Sequence, residues 1–415
     1  MDQIVVLGGG AAGIVAAIAA AEALPQAKVV LLEQNQRIGK KLLATGNGRC
    51  NLDNRNLSPE RYLSSDPSVM EQMLHTIGKH HPLNWFTSHG LMTRTDAEGR
   101  VYPYSNQASD VLNLLLYWLA HSKVEVITEC RVRSLKQKFK GYQVWTEDGR
   151  RFAAQAVICA FGGKAAPQFG TDGFGGQFAS ACGLHIQPEY PCLVPLRCDK
   201  TQIAGLSGIR VKARASLYEQ DRLIKSEDGE VQFTEQGLSG IAVMQLSNHM
   251  RKKNAAYSIH LNLFPQLNRE ELSEMIGSRI RLFADAPCTE LMTGLLHKRI
   301  GAAMLRSAGI ADPSRLVRTL VAREMLALHH ALSDWVFDHL SPFEWKQAQV
   351  TGGGIDLGQL EPDSFMLKGH PGLYFVGEML DCVGDCGGYN LHFAFGSGIT
   401  SGIHAAQSLR GKIRG

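Results

Sequence analysis

The sequence has few of the features that mark a secreted, metal-binding or membrane protein. Its nine cysteines are an odd number without a CxxC pair, which argues against a disulfide framework and fits a reducing cytoplasm. The fifteen histidines form no HExxH pattern, and no cysteine cluster is present, so we predict no metal site. The longest apolar run, 11–21, is too short to span a bilayer. We therefore expect a cytoplasmic protein with no membrane partner.

The charge balance excludes a strongly basic or acidic class of protein. Charged residues make up 20% of the chain and hydrophobic residues 44%, and the net charge is +4. These values are ordinary for soluble globular proteins. A mild positive bias permits an anionic partner without requiring one. A chain of 415 residues is long enough for about two or three domains with their own cores.

The first 33 residues carry the strongest motif of the chain. The spacing predicts a strand at 4–7, the turn Gly8-x-Gly10-x-x-Gly13, an Ala-rich helix from about 11 to 24, and a second strand at 28–32 that runs into Glu33. In such a unit Gly8 permits a tight turn, Gly10 admits a pyrophosphate, and Gly13 allows close packing of helix on sheet. The helix N-terminus favours the phosphate charge, and Glu33 stands where a carboxylate accepts hydrogen bonds from a ribose. The motif predicts a dinucleotide site.

A second glycine-rich loop follows the acid and carries positive charge. The stretch 40–51 reads Lys-Lys-Leu-Leu-Ala-Thr-Gly-Asn-Gly-Arg-Cys-Asn. Backbone N–H groups around Gly46 and Gly48 can form an anion-binding concavity, to which Lys41 and Arg49 add charge. A solvated basic loop is the alternative interpretation.

The C-terminal segment decides which dinucleotide is expected. Residues 371–378 read as a buried strand that ends in Gly377-Glu378, and a small-residue helix with Gly396, Gly398 and Gly402 follows the motif 381–390. In two-part FAD folds such a segment places a carboxylate on the ribityl chain. It also directs a helix N-terminus at the pyrimidine edge of the flavin, where the dipole stabilises negative charge. A nicotinamide enzyme does not need this return segment, so we predict FAD.

Three motifs resemble the signatures of a known family. The segments 45–51, 351–355 and 377–390 look like those of the BaiN/RdsA family of FAD-dependent oxidoreductases, and the resemblance covers essentially the whole chain. It implies non-covalent FAD, a FAD domain split by an inserted β-rich domain, and a small helical subdomain. Members have been assigned to reduction of conjugated C=C bonds in steroid-like substrates, to amine oxidation and to dihydrouridine formation in 23S ribosomal RNA. Membership fixes the cofactor better than the substrate.

The predicted fold class is α/β, with a Rossmann-like FAD-binding domain of the glutathione-reductase type. The middle of the chain agrees with an insertion, because short alternating strands occupy about 191–264 and helical spacing follows from Asn268, a predicted N-cap with Glu271 three residues on. We expect the first part of the FAD domain at 1–190 and its second part at 351–415. The β-rich domain is expected at 191–265 with 340–350, and the helical subdomain at 266–339.

The motifs yield a set of predicted site residues. Those expected to bind FAD are Gly8, Gly10, Ala12, Gly13, Glu33, Gln34, Lys40, Lys41, Thr45, Gly46, Asn47, Arg49, Asn51, Val132, Gly162, Gly377, Glu378 and Gly388. The predicted catalytic residues are Cys50, Tyr389 and Asn390.

The chemistry expected of the flavin is hydride transfer. No second GxGxxG follows a strand, so a dedicated NAD(P)H domain is absent from the sequence pattern, and NAD(P)H is expected to reduce the flavin from the substrate face. Reduction of a polarised C=C needs a hydride on one carbon and a proton on the other. Cys50 is a candidate proton donor, although a buried structural thiol is an equal alternative. His392 is a candidate acid or base, and a role as a helix cap or as a core residue is an equal alternative. For Cys382 and Cys386 we favour packing over redox chemistry, since CxxxC is not a dithiol signature.

The charge pattern bears on an RNA substrate. Arg210, Lys212 and Arg214 alternate along one predicted strand and would share a face that could follow phosphates. A solvated face has the same appearance, and residues 191–345 hold 19 Lys and Arg against 17 Asp and Glu. Charge alone therefore does not decide for RNA.

The sequence as a whole predicts an FAD enzyme that passes hydride from NAD(P)H to an activated C=C, with uridine in 23S ribosomal RNA as the candidate acceptor and a small molecule as the other substrate class. One alternative is a flavin oxidase or reductase acting on a small amine or enone. A second is a flavin-bearing RNA-binding or redox-sensing protein with low turnover.

Overall fold

The computed structural model describes residues 2–252 and 255–413. It forms two compact units, one from the residues up to Cys192 together with those from Trp345 onward, and one from Leu193–Glu344. Among the described residues, no helix is long and apolar enough to cross a membrane. The predicted FAD domain and its insertion agree with this α/β architecture, whereas the predicted domain bounds and the separate helical subdomain stay predictions.

The first unit begins with eighteen regular elements before the chain enters the second unit. They are β1 Gln3–Leu7, α1 Ala11–Ala23, β2 Lys28–Leu32, α2 Lys40–Ala44, β3 Asp53–Asn54, β4 Tyr62–Leu63, α3 Pro67–Lys79, α4 Pro82–Ser88, β5 Thr93–Thr95, β6 Arg100–Pro103, α5 Ala108–His121, β7 Glu125–Ile127, β8 Val132–Lys138, β9 Gly141–Thr146, β10 Arg151–Ala154, β11 Ala156–Cys159, α6 Phe174–Ala181 and β12 Ile186–Cys192. Short 3₁₀ turns occupy Pro59–Arg61 and Pro167–Phe169.

The second unit and the return segment complete the chain. The second unit contains β13 Leu196–Arg197, β14 Arg210–Glu219, β15 Arg222–Phe233, β16 Gly237–Ser239, α7 Ile241–Ser247, β17 Tyr257–Asn262, α8 Arg269–Leu282, α9 Lys298–Ser307, α10 Ala322–Ser333, β18 Trp335–Phe337 and β19 Ser341–Pro342, with 3₁₀ turns at Cys288–Met292 and Val317–Thr319. The return segment contains β20 Val350–Ile355, β21 Leu373–Phe375, β22 Val383–Gly384 and α11 Tyr389–Ile413, with 3₁₀ turns at Leu357–Gln359 and Gly377–Met379.

A parallel sheet forms the centre of the first unit. Its strand order is β21-β11-β1-β2-β7, and every neighbouring pair is parallel. The strands β1, β2 and β11 are apolar and buried almost throughout, as expected where helices cover both faces of a parallel sheet. The predicted strand-helix-strand unit at the N-terminus is confirmed, and so is the predicted buried strand before Gly377.

Two small-residue helices pack with their backbones in contact. A Cβ atom on Gly398 of α11 would lie 2.3 Å from the carbonyl oxygen of Ala12 in α1, and one on Gly402 would lie 2.4 Å from that of Ala16. Ten residues of α1 are buried, because the helix lies between the sheet and α11. Glycine and alanine therefore occur along both helices because larger side chains would separate them.

The second unit is an antiparallel sheet with helices packed on it. Its strand order is β18-β17-β14-β15-β16-β13-β19. Buried residues of α8, α9 and α10 share one apolar core with β14, β15 and β17. The predicted cap of α8 is confirmed as a capping box, since the Asn268 side chain accepts a hydrogen bond from the Glu271 N–H and the Glu271 carboxylate accepts one from the Asn268 N–H.

The helix contact predicts the effect of one methyl group. Gly398→Ala places a Cβ against the Ala12 carbonyl, and we expect it to lower the free energy of unfolding by about 1–3 kcal/mol. Urea unfolding followed by circular dichroism measures the change. The matched control is Gly78→Ala in α3, where the added Cβ would meet no described atom within 4 Å beyond its chain neighbours and the backbone of its own helix, and helix propensity predicts a neutral or slightly stabilising effect. Equal destabilisation in both variants would contradict the packing argument.

Candidate cofactor and active site

The carboxyl ends of three parallel strands meet where the glycine-rich turn begins. Leu7 at the end of β1 pairs with Leu32 of β2 on one side and with Cys159 of β11 on the other. Gly8 follows with a φ of +110°, and a Cβ there would lie 2.3 Å from the Ala160 carbonyl oxygen. Ligands of open α/β sheets bind at this edge, outside the carboxyl ends of the strands.

The turn leaves space for an anion at the start of α1. Gly13 approaches the Gly8 carbonyl so closely that a Cβ would lie 1.9 Å from its oxygen, whereas a Cβ on Gly10 would meet nothing within 4 Å. Gly10 is the N-cap and contributes no side chain, and the first turn of α1 holds no acidic residue. The N–H groups of that turn are therefore available to a phosphate, which fits the pyrophosphate of FAD.

Glu33 already holds the glycine-rich turn in place. The side chain is buried, its Oε2 accepts a hydrogen bond from Gly9 N–H at 2.7 Å, and its Oε1 accepts from the backbone and side-chain nitrogens of Asn35 at 2.8 and 2.6 Å. The predicted contact of Glu33 with a ribose stays a prediction. The carboxylate links the ends of β1 and β2, so it orders the expected adenosine side of the site.

The next predicted residues lie along the same edge. Gln34 donates from Nε2 to the Gly170 carbonyl at 2.6 Å, and its Oε1 accepts from Arg131 at 3.1 Å. Val132 begins β8 and is buried. A Cβ on Gly162, which has a φ of +76°, would meet nothing within 4 Å, so space remains at this turn as well. The Gly170 loop thus lies against Gln34.

A charged cluster joins the second loop to the return segment. Lys41 Nζ contacts the Glu378 carboxylate at 2.7 and 3.0 Å and donates to the Ala165 carbonyl at 3.2 Å. Glu378 Oε1 also accepts hydrogen bonds from the N–H and hydroxyl of Thr351, each at 3.0 Å. Charge-assisted hydrogen bonds of this kind fix a carboxylate more firmly than neutral ones. The cluster brings together residues 337 positions apart, and the predicted contacts of Lys41 and Glu378 with FAD stay predictions.

Thr351 is a site residue that sequence reasoning did not select. Its hydroxyl oxygen accepts hydrogen bonds from Lys164 N–H at 2.7 Å and Ala165 N–H at 2.9 Å while the hydroxyl donates to Glu378. A Cβ on Gly163 would lie 2.3 Å from this oxygen. The motif Thr-Gly-Gly-Gly marked the segment, but only the fold shows that the threonine connects three separate chain segments.

The loop 45–51 is held in an uncommon backbone conformation. Four residues of the loop have positive φ angles, all between 56° and 80°: Gly46, Asn47, Gly48 and Cys50. The loop is closed by hydrogen bonds from Gly48 N–H and Cys50 N–H to the Thr45 carbonyl at 3.1 and 3.0 Å. Non-glycine residues in this region cost of order 1–3 kcal/mol each and cluster at functional sites.

Two predicted cations of this region face outward. Lys40 and Arg49 are exposed, and the Arg49 guanidinium lies 4.7 Å from the centroid of the Tyr102 ring. Asn51, in contrast, is buried, and its Oδ1 makes no hydrogen bond in the described structure. An unsatisfied buried acceptor beside Gly388, whose Cβ would lie 2.9 Å from it, is consistent with a ligand at this position.

Cys50 occupies a fully buried position. Burial raises the pKa of its thiol to about 12, although the hydrogen bond with Thr45 opposes the shift. Such a thiol retains its proton at neutral pH and donates it poorly. Burial therefore favours the structural interpretation of Cys50 over the role of proton donor, which stays a prediction.

The other two predicted catalytic residues are engaged in the fold. The Tyr389 hydroxyl donates to the Asn56 carbonyl at 3.2 Å, and burial raises its pKa. The Asn390 amide accepts from Gly384 N–H and donates to the Gly384 carbonyl, both at 2.8 Å. These contacts fix the turn before α11, so both residues position the helix N-terminus in this structure.

A buried carboxylate with two imidazoles lies beside that turn. Asp53 is fully buried, with His392 Nδ1 at 3.1 Å and His81 Nδ1 at 3.7 Å from its oxygens. Asp53 Oδ2 and His392 Nδ1 make no aligned hydrogen bond in the described structure. One ligand atom from each residue lies within 4.8 Å of the others, a spacing that would suit a metal ion. Sequence reasoning found no such group, because 28 positions separate Asp53 from His81 and 311 more lead to His392.

Comparison with known proteins identifies the family. The model of the HI0933-like protein Rossmann domain matches residues 2–404. The chain belongs to this family. It is 35% identical to the 3-dehydro-bile acid delta(4,6)-reductase of Clostridium scindens over 98% of this chain and 100% of that protein, and 26% identical to the ribosomal RNA dihydrouridine synthase of Escherichia coli over 95% of each.

Solved structures agree with the fold. A 3-ketosteroid-delta4-(5alpha)-dehydrogenase from Rhodococcus jostii, solved in complex with 4-androstene-3,17-dione, has a TM-score of 0.50 and 17% identity, with 98% of this chain and 97% of that chain covered. This likeness concerns the fold. Together with the family, it supports the predicted FAD domain, and the protein is an FAD-dependent oxidoreductase.

The open space at Gly10 generates a prediction about FAD binding. Gly10 has a φ of −84° and no neighbour within 4 Å of its Cβ position, so Gly10→Val should leave the apoprotein folded, with a small fall in melting temperature because valine is a poorer N-cap than glycine. The side chain would displace a phosphate from the N-terminus of α1. We expect FAD to bind about 100-fold more weakly, the loss of one or two hydrogen bonds to a charged group.

Fluorescence titration of the apoprotein with FAD measures this change. Gly13→Ala is the contrasting variant, because its Cβ would lie 1.9 Å from the Gly8 oxygen and should damage the fold itself. Unchanged FAD affinity in Gly10→Val would refute the assignment of the phosphate site.

Proposed function

We propose that this oxidoreductase accepts hydride from NAD(P)H and reduces a C=C bond conjugated to a carbonyl group, with uridine in 23S ribosomal RNA as the acceptor. Bound FAD would supply the hydride carrier of this reaction. The residues described above would hold it, with the N-terminus of α1 at the pyrophosphate and Glu378 toward the ribityl chain.

One observation carries the proposed reaction type. Two curated relatives cover 95% or more of the chain, and their names describe different substrates with the same change in bonding. A delta(4,6)-reductase saturates a C=C in conjugation with a 3-oxo group, and a dihydrouridine synthase saturates the C5=C6 bond of uracil, which is conjugated to a ring carbonyl. A common reaction type on different acceptors is expected when the cofactor supplies the chemistry and the protein supplies binding and orientation.

Two features of this chain would set the charge around the expected flavin. The 25-residue helix α11 begins at Tyr389, directly after Gly387 and Gly388, so the positive end of its dipole faces the turn expected at the pyrimidine edge. Lys41 forms an ion pair with the Glu378 carboxylate and offsets its negative charge. The turn is rigid, because Asn390 bonds both the N–H and the carbonyl of Gly384. A rigid positive dipole costs no reorganisation when negative charge develops.

The proton that completes the reduction is expected to come from solvent and not from Cys50 or Tyr389. Cys50 is buried with a pKa of about 12, and the Tyr389 hydroxyl donates to a backbone carbonyl. Protonation at carbon beside a carbonyl can be completed by water once the hydride has arrived. We therefore propose that solvent supplies the proton and that neither side chain is required for this step.

An anaerobic titration tests the electron donor. The purified holoprotein is mixed with NADPH and then NADH while flavin absorbance is followed, and we expect rapid bleaching by at least one nucleotide. Ribosomal RNA from a deletion strain should then lack one dihydrouridine that returns on complementation. Bleaching by an amine with peroxide formation, and not by either nucleotide, would instead identify an amine oxidase.

Cys50→Ala tests the source of the proton. A lost proton donor lowers turnover about 10²–10⁴-fold, whereas a lost packing group does not. We expect turnover with NADPH within about threefold of the wild type and the same pH profile, together with a lower melting temperature, because the thiol is fully buried. Cys288→Ala, which removes another fully buried thiol from the second unit, is the control for destabilisation. A selective fall in turnover with a changed pH profile would restore Cys50 as the donor.

A further inference from the structure

The small antiparallel sheet of the first unit has one apolar face and one basic face. Its strand order is β10-β9-β8. Leu135, Val144 and Phe152 pack against the core of this unit. Residues directly opposite one another across antiparallel strands share a face, and Ser134, Trp145 and Arg151 form one such row. The next row is Lys136, Gln143 and Ala153, and Lys138 continues it opposite Gly141.

This outer surface carries cations around an aromatic ring. We define the basic sheet face by Lys136, Lys138, Trp145 and Arg151. The ammonium groups of Lys136 and Lys138 each lie 5.9 Å from the centroid of the Trp145 ring. Lys136, Lys138 and Arg151 are exposed, and Trp145 is half-buried. The hairpin tip adds Phe139, which is 99% exposed, and Lys140.

No carboxylate neutralises the face in the part of the chain that the structure describes. The acidic residues of residues 132–154 are Glu147 and Asp148, and they pair with Arg131 and Arg150 at the far end of the sheet. Six Lys and Arg against these two acids give the segment a charge of +4, which equals the net charge of the whole chain. This small sheet therefore carries an excess of positive charge.

The strand that the sequence offered as a basic face differs in this respect. Arg210 and Arg214 of β14 form ion pairs with Glu230 and Asp228 of β15, at 3.2 and 2.7 Å, and Lys212 stands opposite Glu230 in the register. Cross-strand carboxylates thus balance that row. The cations still alternate along β14, but the row has little net charge with which to attract a polyanion.

We infer that the basic sheet face binds single-stranded RNA outside the reaction centre. Cations without carboxylate partners attract phosphates, and an indole on the outer face of a sheet offers a surface on which a base can stack. Stacking distinguishes this face from a purely electrostatic patch, because Trp145 lies at its centre among Lys136, Lys138 and Arg151. The inference rests on the proposed ribosomal RNA acceptor and would explain how a long anionic substrate is retained.

Binding of a fluorescein-labelled single-stranded RNA of mixed sequence to the holoprotein tests this face, with fluorescence anisotropy at several KCl concentrations. The face variant is Lys136→Gln/Lys138→Gln/Arg151→Gln. Each phosphate contact on a single strand contributes about 0.7 to the slope of log K against log salt, so we expect the slope to fall by about 2 and the affinity by about tenfold or more. Trp145→Leu should weaken binding by about tenfold with an unchanged slope.

The control variant is Arg210→Gln/Lys212→Gln/Arg214→Gln. It removes the same number of charges from a row balanced by carboxylates and should bind RNA within about twofold of the wild type. Equal losses in both triple variants would overturn the inference, because total charge alone would then govern binding. Binding to phosphatidylglycerol vesicles as tight as to RNA, with no effect of Trp145→Leu, would overturn it in favour of an anionic surface.

Bleaching of the flavin by NADPH separates this inference from the proposed function. The face variant should be bleached at the wild-type rate, since its residues lie outside the predicted flavin site. A wild-type protein that is bleached normally but does not bind RNA would overturn the RNA face and leave the reductase intact. A protein that binds RNA through this face but is not bleached would support the face and refute the proposed electron donor.

Discussion

Close backbone packing around α1 is the constraint on which the rest of the structure depends. Gly8 and Gly13 let the first turn and the helix approach each other and β11, and Gly398 and Gly402 let α11 approach from the other side. These contacts are made by main-chain atoms, so a methyl group suffices to disrupt them. The packing fixes the start of α1 relative to the sheet edge, which is why the empty space at Gly10 has a defined position.

The same packing connects the two ends of the chain at the cofactor site. A Cβ on Gly377 would lie 3.0 Å from the Ala12 side chain, and Gly377 N–H donates to Ser397 of α11 at 3.0 Å. Glu378 is consequently placed within reach of Lys41 and Thr351. One carboxylate then orders three segments that are far apart in the sequence. The site is therefore a product of the helix pair as much as of its own side chains.

The sequence predicted the features that depend on local residue spacing, and it missed those that depend on contacts between distant segments of the chain. The strand-helix-strand unit, the buried strand before Gly377 and the capping box at Asn268 are local patterns, and the structure confirms all three. The group of Asp53, His81 and His392 arises only when β3, the N-cap of α4 and α11 meet. The charge pattern of the sequence could not decide for RNA for a related reason. Alternating cations on β14 are visible in the sequence, but the acids of β15 that pair with them depend on the register.

The backbone strain in the loop 45–51 also accompanies close packing. Asn47 and Cys50 adopt left-handed conformations at a cost of order 1–3 kcal/mol each, and hydrogen bonds to the Thr45 carbonyl and from Ala108 N–H to the Gly48 carbonyl hold the loop in this shape. The tight path brings Asn51 beside Gly388 and buries the Cys50 side chain beneath the loop. Asn51 Oδ1 remains unsatisfied there. A strained loop that leaves a buried acceptor unpaired is a pattern expected of a ligand site and is not explained by a contribution to stability.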